Sequence, residues 1–148
     1  MEGLKIDFSC LRDFFSVPCE EVFKYLTGEA LLADSLGISK CFAGSIYVIS
    51  PNPPKTSELF IKGQDWKPFC VVPLPRRFDS VAVFSANPSR DFEPSVRFVV
   101  NHLKKGGYFL LNLEEGILPF AVNLLSEFAS LKAVFPSLVV GKLLEFPF

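Results

Sequence analysis

FDSVAVFSANPSRDFEPSVRFVVNHLKKGGYFLLNL, residues 78–113, is the stretch whose pattern decides the fold. Val81-Ala82-Val83-Phe84 is a short apolar run with β-branched residues, the composition of a strand buried on both faces. Asn87-Pro88-Ser89-Arg90 interrupts it with loop chemistry. Glu93-Pro94 then opens a helix. Proline suits the first helical position, and Asp91 and Glu93 suit the positive end of the helix dipole. Val96, Val99, Val100 and Leu103 recur at helical spacing and predict one apolar face, with Arg97, Asn101 and Lys104 turned away. Lys104-Lys105 complement the negative end, and Gly106-Gly107 are expected to stop the helix. Tyr108-Phe109-Leu110-Leu111 predicts the next buried strand. Two buried strands joined by such a helix make a right-handed βαβ unit, so the two strands should run parallel.

Outward from this unit, the 148 residues predict a single α/β domain with three layers and a mostly parallel sheet. Residues 1–37 are expected to supply N-terminal helices covering the sheet, and residues 38–148 the sheet and its crossover helices. In the first part, Ser16-Val17-Pro18 separates two short helices. Leu31, Leu32 and Leu36 are read as continuing the second helix's apolar stripe, with Gly37 as a helix C-cap. Ser45 to Ile49 and Leu59 to Lys62 predict strands, with a proline-rich loop at Ser50-Pro51-Asn52-Pro53-Pro54 between them. Phe69 to Val72 is a candidate edge strand. Pro119 opens a further helix whose buried face is Ile117, Phe120, Ala121, Leu124, Leu125 and Phe128. Residues 133–146 are either one terminal strand or a hairpin.

Composition narrows the function classes. The net charge of −1 gives no electrostatic basis for nucleic-acid binding. Nearly half the residues are hydrophobic and 17 are Phe. Charges or prolines interrupt every apolar run before it could span a bilayer, and the first five residues lack a signal peptide's apolar segment, so a cytoplasmic location is expected and no membrane partner. The excess apolar content fits a sheet buried on both faces or a surface covered by a protein partner or a second copy of the chain. Cys10, Cys19, Cys41 and Cys70 lie far apart and are expected to be buried reduced thiols. With a single histidine in the chain they have no zinc-ligand spacing. His102 is expected on an exposed helix flank. No P-loop, metal constellation or nucleophile–base pair is found, and no catalytic residue is assigned.

Phe78-Asp79-Ser80-Val81, followed by His102-Leu103-Lys104-Lys105-Gly106-Gly107-Tyr108-Phe109-Leu110, resembles the late half of class I S-adenosylmethionine-dependent methyltransferases. There an FD-x-V strand precedes a helix and an L-K-x-G-G turn into the next strand. The resemblance implies a Rossmann-like sheet ending in an antiparallel hairpin strand. It also implies a cofactor site at the carboxyl ends of the strands, where open parallel sheets bind ligands. Three features would build that site: a glycine-rich first turn, an acid closing the second strand for the ribose, and a polar residue after the third for the adenine. Leu32-Ala33-Asp34-Ser35-Leu36-Gly37 is the nearest match to the first, with Gly37 its one glycine. Ile49-Ser50-Pro51 stands at the second without a carboxylate. Gly63-Gln64-Asp65 matches the third, with Trp66 beside it to stack on a purine or pack on the core. Ser85 and Asn87 lie in the loop after the fourth strand. Asn52-Pro53-Pro54-Lys55 resembles the N-P-P-aromatic motif of amino-group methyltransferases, with Lys55 where the aromatic belongs.

The cofactor-binding residues implied are therefore Gly37, Asp65, Trp66, Ser85 and Asn87. The fold is expected to be degenerate and truncated in its cofactor-binding half. The function expected is a non-catalytic interaction or scaffold module. The alternative is an active methyltransferase that binds S-adenosylmethionine atypically.

Overall fold

The computed structural model describes residues 4–55, 59–61 and 74–148. In chain order the elements are β1 (Lys5–Ile6), α1 (Phe8–Arg12), α2 (Cys19–Phe23), β2 (Ala30–Asp34), β3 (Phe42–Ala43), β4 (Ile46–Ile49), β5 (Leu59–Ile61) and β6 (Phe78–Phe84). After these come α3 (Phe92–His102), β7 (Leu103–Asn112), α4 (Leu118–Leu125), β8 (Ala129–Phe135) and β9 (Leu138–Leu143). Seven described strands form one sheet in the order β5-β4-β2-β6-β7-β9-β8. The pairs β5–β4, β4–β2, β2–β6 and β6–β7 are parallel, whereas β9 runs antiparallel to both β7 and β8. The β6–α3–β7 unit is the parallel one that residues 78–113 predict, and the C-terminal residues form the hairpin rather than one strand.

Strand side chains alternate between faces, so the central strands feed two cores. Leu31, Ala33, Val81, Val83, Phe109 and Leu111 face α3 and α4, where they meet Val96, Val99, Leu125 and Phe128. Ala30, Leu32, Ala82, Phe84 and Leu110 face α1 and α2, where they meet Leu11, Phe15, Val22 and Phe23. The result is a helix–sheet–helix sandwich. The second outer layer is thin, since α1 and α2 have five residues each. Helices that short cannot persist alone, and packing and capping sustain them. Asp7 caps α1 by accepting from the amides of Ser9 and Cys10. No helix among the described residues is long and apolar enough to cross a membrane.

Several expectations need correcting. Residues 30–34 are not helix: Ala-Leu-Leu-Ala-Asp is the fully buried strand β2 in the middle of the sheet. A four-residue apolar run closed by Asp34 fits a buried strand as well as a helical stripe, and Gly28 in the left-handed region (φ 65°) precedes it. Gly37 accordingly follows a strand and is not a helix C-cap. Lys104 to Gly107 do not end α3, which stops at His102. Leu103 already pairs with Phe78, and the ladder resumes at Tyr108 opposite Ser80. The residues between form an irregular bulge. Gly106 has φ 85°, and a Cβ on Gly107 would lie 2.6 Å from the Asp79 carbonyl oxygen, so the glycine pair serves the bulge.

His102 is buried, not on a surface flank. Its Nδ1–H donates to the Phe98 carbonyl at 2.8 Å, and Nε2 accepts from the Leu74 amide at 3.0 Å. Burial, helped by the nearby Arg77 charge, pushes its pKa below the ordinary 6.5. Phe120 is 63% exposed, although its spacing places it on the buried face of α4. Cys10 and Cys41 are not reduced thiols: they form a disulfide across 31 residues, a pairing that sequence separation conceals. Cys19 is free and buried as expected. Cys70 and the candidate edge strand Phe69 to Val72 lie outside the described residues.

Candidate functional site

The chain runs outward from β2 to β4 and β5, then returns to lay β6 against the other side of β2. The sheet's direction of growth reverses there, and crevices beyond the strands' carboxyl ends at such a point receive ligands in open α/β sheets. Gly37 follows β2, and Ser85 and Asn87 follow β6, so the structure brings these three expected residues to one place. Asp65 and Trp66 lie outside the described residues.

Asp34 ends β2 with its side chain buried beneath the turn it starts. Oδ1 accepts from the amides of Leu36 at 2.8 Å and Gly37 at 3.1 Å, and Oδ2 accepts from the Ser39 amide at 2.8 Å. Burial raises its pKa above the ordinary 3.8, and the amides partly counter this. The carboxylate therefore acts as the template of the turn. Gly37 takes φ 83°, where a β-carbon would be strained, although no atom stands within 4 Å of one. A 3-10 turn, Ile38–Cys41, follows.

Ser35, which the sequence reading passed over, ties the two central strands together. Its amide donates to the Phe84 carbonyl at 2.9 Å. Its hydroxyl donates to the same carbonyl at 3.2 Å and accepts from the Ala86 amide at 2.7 Å. Ser85 is 2% exposed and is engaged inside the loop. Its hydroxyl donates to Asp91 Oδ2 at 2.5 Å and accepts from the Asn87 amide at 3.0 Å. Its backbone makes two bonds, each of 2.8 Å, with the side-chain amide of Asn112 at the end of β7. Asn87 is exposed, and its Oδ1 accepts from the Arg90 amide. Of the three expected residues, Asn87 is exposed and Gly37 partly so, whereas Ser85 holds the loop to α3 and β7.

Ser50 closes β4, where the resemblance calls for a ribose-binding acid, and it is fully buried. Its hydroxyl accepts from the Asn52 amide at 3.2 Å and lies 3.3 Å from the Ser39 hydroxyl, which donates to the Asn52 carbonyl at 2.8 Å. The Asn52-Pro53-Pro54 segment thus follows β4, two strands away from the β6 loop, and its backbone is tied to the turn after β2. The signal for this network was present as Asp34, Ser35, Ser39 and Ser50, each just beyond or inside an apolar run. Nothing local says that these four converge. Among the described residues no group of three His, Cys, Asp or Glu side chains could hold a metal ion.

The architecture has counterparts among solved structures. N-methyltransferase NodS from Bradyrhizobium japonicum WM9 superposes with a TM-score of 0.59 at 10% identity, over 94% of this chain and 99% of that one. The same enzyme in complex with S-adenosyl-L-homocysteine gives 0.59 over 94% and 98%. The fibrillarin pre-rRNA processing protein of Methanococcus jannaschii gives 0.56 at 16% identity, over 78% of this chain and 66% of that one. No protein-family model and no curated protein matches the sequence. Identities this low are a likeness of fold alone. The class is therefore that of class I methyltransferase-like folds. Within it, this chain has the mostly parallel sheet and the antiparallel C-terminal hairpin that residues 78–113 and their resemblance implied.

Proposed function

We propose that this chain is a methyltransferase-like module that works by docking a protein and does not transfer methyl groups. One observation carries the reading. The position that should offer a carboxylate to a ribose holds Ser50, a buried hydroxyl already engaged by Asn52 and Ser39. The nearby acid, Asp34, spends both oxygens on the amides of its own turn. That turn carries one glycine, with Leu36 and Ile38 on either side of it, where a close-approaching cofactor needs bare backbone. The exposed rings of Phe120, Phe146 and Phe148 offer a protein-facing surface, and the partner it suits is a second copy of this chain, in the cytoplasm.

The second reading is an enzyme that binds S-adenosylmethionine in an unusual way. It is favoured by the position of Gly37 after β2 and of Asn87 after the neighbouring β6, and by the NodS complex with S-adenosyl-L-homocysteine. Isothermal titration with S-adenosylmethionine and S-adenosyl-L-homocysteine separates the two. No heat at millimolar ligand, with a dimer by light scattering, is the expected result. Micromolar binding that weakens in Asp65→Ala would sink the docking proposal and establish the enzyme.

A further inference from the structure

The Cys10–Cys41 disulfide joins two parts of the molecule that matter to the candidate site. Cys10 lies in α1, and Cys41 ends the 3-10 turn that begins at Gly37. The same junction carries the Asp7 amide donating to the Cys41 carbonyl at 2.7 Å and the two-residue pairing of β1 with β3. These few bonds seat the N-terminal segment on residues 37–43. The seated residues in turn supply the Ser39 amide to Asp34 and the Ser39 hydroxyl to the Asn52 carbonyl. One covalent bond therefore braces the turn that follows β2 at the switch point. The helix at its other end, five residues long, cannot hold itself.

We infer that this disulfide is a redox latch: thiol reduction loosens the N-terminal segment and the turn at residues 36–41 together, while the rest of the sheet stays folded. Cys10 is half-buried and Cys41 is 2% exposed, so Cys10 is the sulfur that a small thiol reaches. A thiolate attacks the Cys10 sulfur, the S–S bond breaks, and Cys41 leaves as a thiolate that takes a proton. A second thiol then attacks the mixed disulfide and releases Cys10 as a thiol. Two electrons pass from the reductant, which ends as its own disulfide. The carboxyl-end turn is the part that changes, because the bridge is its covalent tie to α1; what remains is the bonding of Asp34, Ser35 and Ser39, the Asp7–Cys41 backbone bond and the short β1–β3 pairing. The strands β6, β7 and β9 have ladders of their own that do not run through the bridge, although Cys41 shares a core with Ala82, Phe84, Leu110 and Val140. The inference requires neither a cofactor nor a partner and stands apart from the proposed function.

Hydrogen exchange resolved by residue tests it on the full chain, oxidised and then treated with millimolar reduced glutathione. Alkylation and mass measurement report the thiols. The expected result is reduction of the pair, with amide exchange at Leu36, Gly37, Ser39 and residues 5–12 faster by about tenfold or more and β6, β7 and β9 unchanged. Cys10→Ser, without reductant, should reproduce the same pattern. A bridge that resists glutathione would overturn the latch. So would exchange that rises uniformly over the sheet, which marks a global staple, or exchange that does not change at all.

Discussion

Between β6 and β7 the chain crosses with an eleven-residue helix, whereas between β2 and β4 it crosses with a four-residue 3-10 turn and a two-residue strand. The first crossover is specified locally: its apolar face, its acidic start and its bulge glycines all lie within residues 78–113. The second is specified at a distance. Asp34 organises its turn, Ser35 stitches it to the β6 loop, Ser39 reaches Asn52, and a disulfide 31 residues long ties it to α1. Both halves belong to one sheet. One half has its stability written into helix packing, the other into a few specific bonds around the crevice. The half whose described residues hold only short helices is also the half in which the resemblance places a cofactor.

Equal truncations on the two faces should expose this difference. Phe109 and Phe23 are both fully buried. Phe109→Ala, in the helix-backed core, should cost about 3–5 kcal/mol in urea unfolding with the transition still cooperative. Phe23→Ala, in the thin layer, should cost less in the global transition and appear chiefly as faster amide exchange in residues 8–26. Equal losses in both variants would break the comparison.

Next in size, Asp34→Ala should leave the buried Ser39 amide without its acceptor, at about 1–3 kcal/mol. The pH dependence has a definite sign. A folded-state pKa above the ordinary 3.8 means that the folded chain holds this proton more tightly than the unfolded one. The Asp34 contribution is therefore greatest below pH 3.8 and declines as pH rises through the raised value. Denaturation at a series of pH values should show that decline in the native chain and not in the variant. Asp79, at the opposite end of the sheet, should behave in reverse. The Glu29 amide and the Lys104 ammonium hold its pKa down, so its contribution is lost as pH falls. Carboxyl resonances of the two aspartates followed by NMR should titrate on opposite sides of the ordinary value.

The smallest expected effect is that of Ser35→Ala, about 0.5–1.5 kcal/mol for the loss of one bridging hydroxyl. Its value is in location: exchange should quicken at Ala86 and leave α3 untouched. A change spread through α3 would mean that the two halves are coupled more tightly than their bonding suggests.

The contrast also explains what the sequence made legible. The β6–α3–β7 unit followed from Val81 to Leu111 because period and composition agree within one window, even though the glycine pair read as the helix stop belongs to the β7 bulge. The hairpin was anticipated through the resemblance, since residues 133–146 alone left one strand or two open. Ala30 to Asp34 was misread because the four consecutive apolar positions before Asp34 carry no period at all. His102 was misplaced because its burial depends on Leu74, which is 28 residues away. At the site, Gly37 was noticed for a motif it matches only in part, and its neighbours Asp34 and Ser35 do most of the bonding. A serine before a turn looks the same in sequence whether it faces water or bridges two strands. The Cys10–Cys41 bond belongs to the same class of long-range fact.

The position of β9 has a consequence for biosynthesis. This strand fills the gap between β7 and β8, although β8 precedes it in the chain. A nascent chain that has released β7 and β8 therefore still has no neighbour for the outer rim of β7, from Tyr108 to Asn112. Two residues, Pro136 and Ser137, separate β8 from β9, so the pair can form by itself within microseconds once both are clear of the ribosome. This strand order lets the sheet be completed by insertion of a finished hairpin rather than by adding strands one after another. Until that moment the rim of β7 is the place where a translating chain is most open to pairing with the wrong strand.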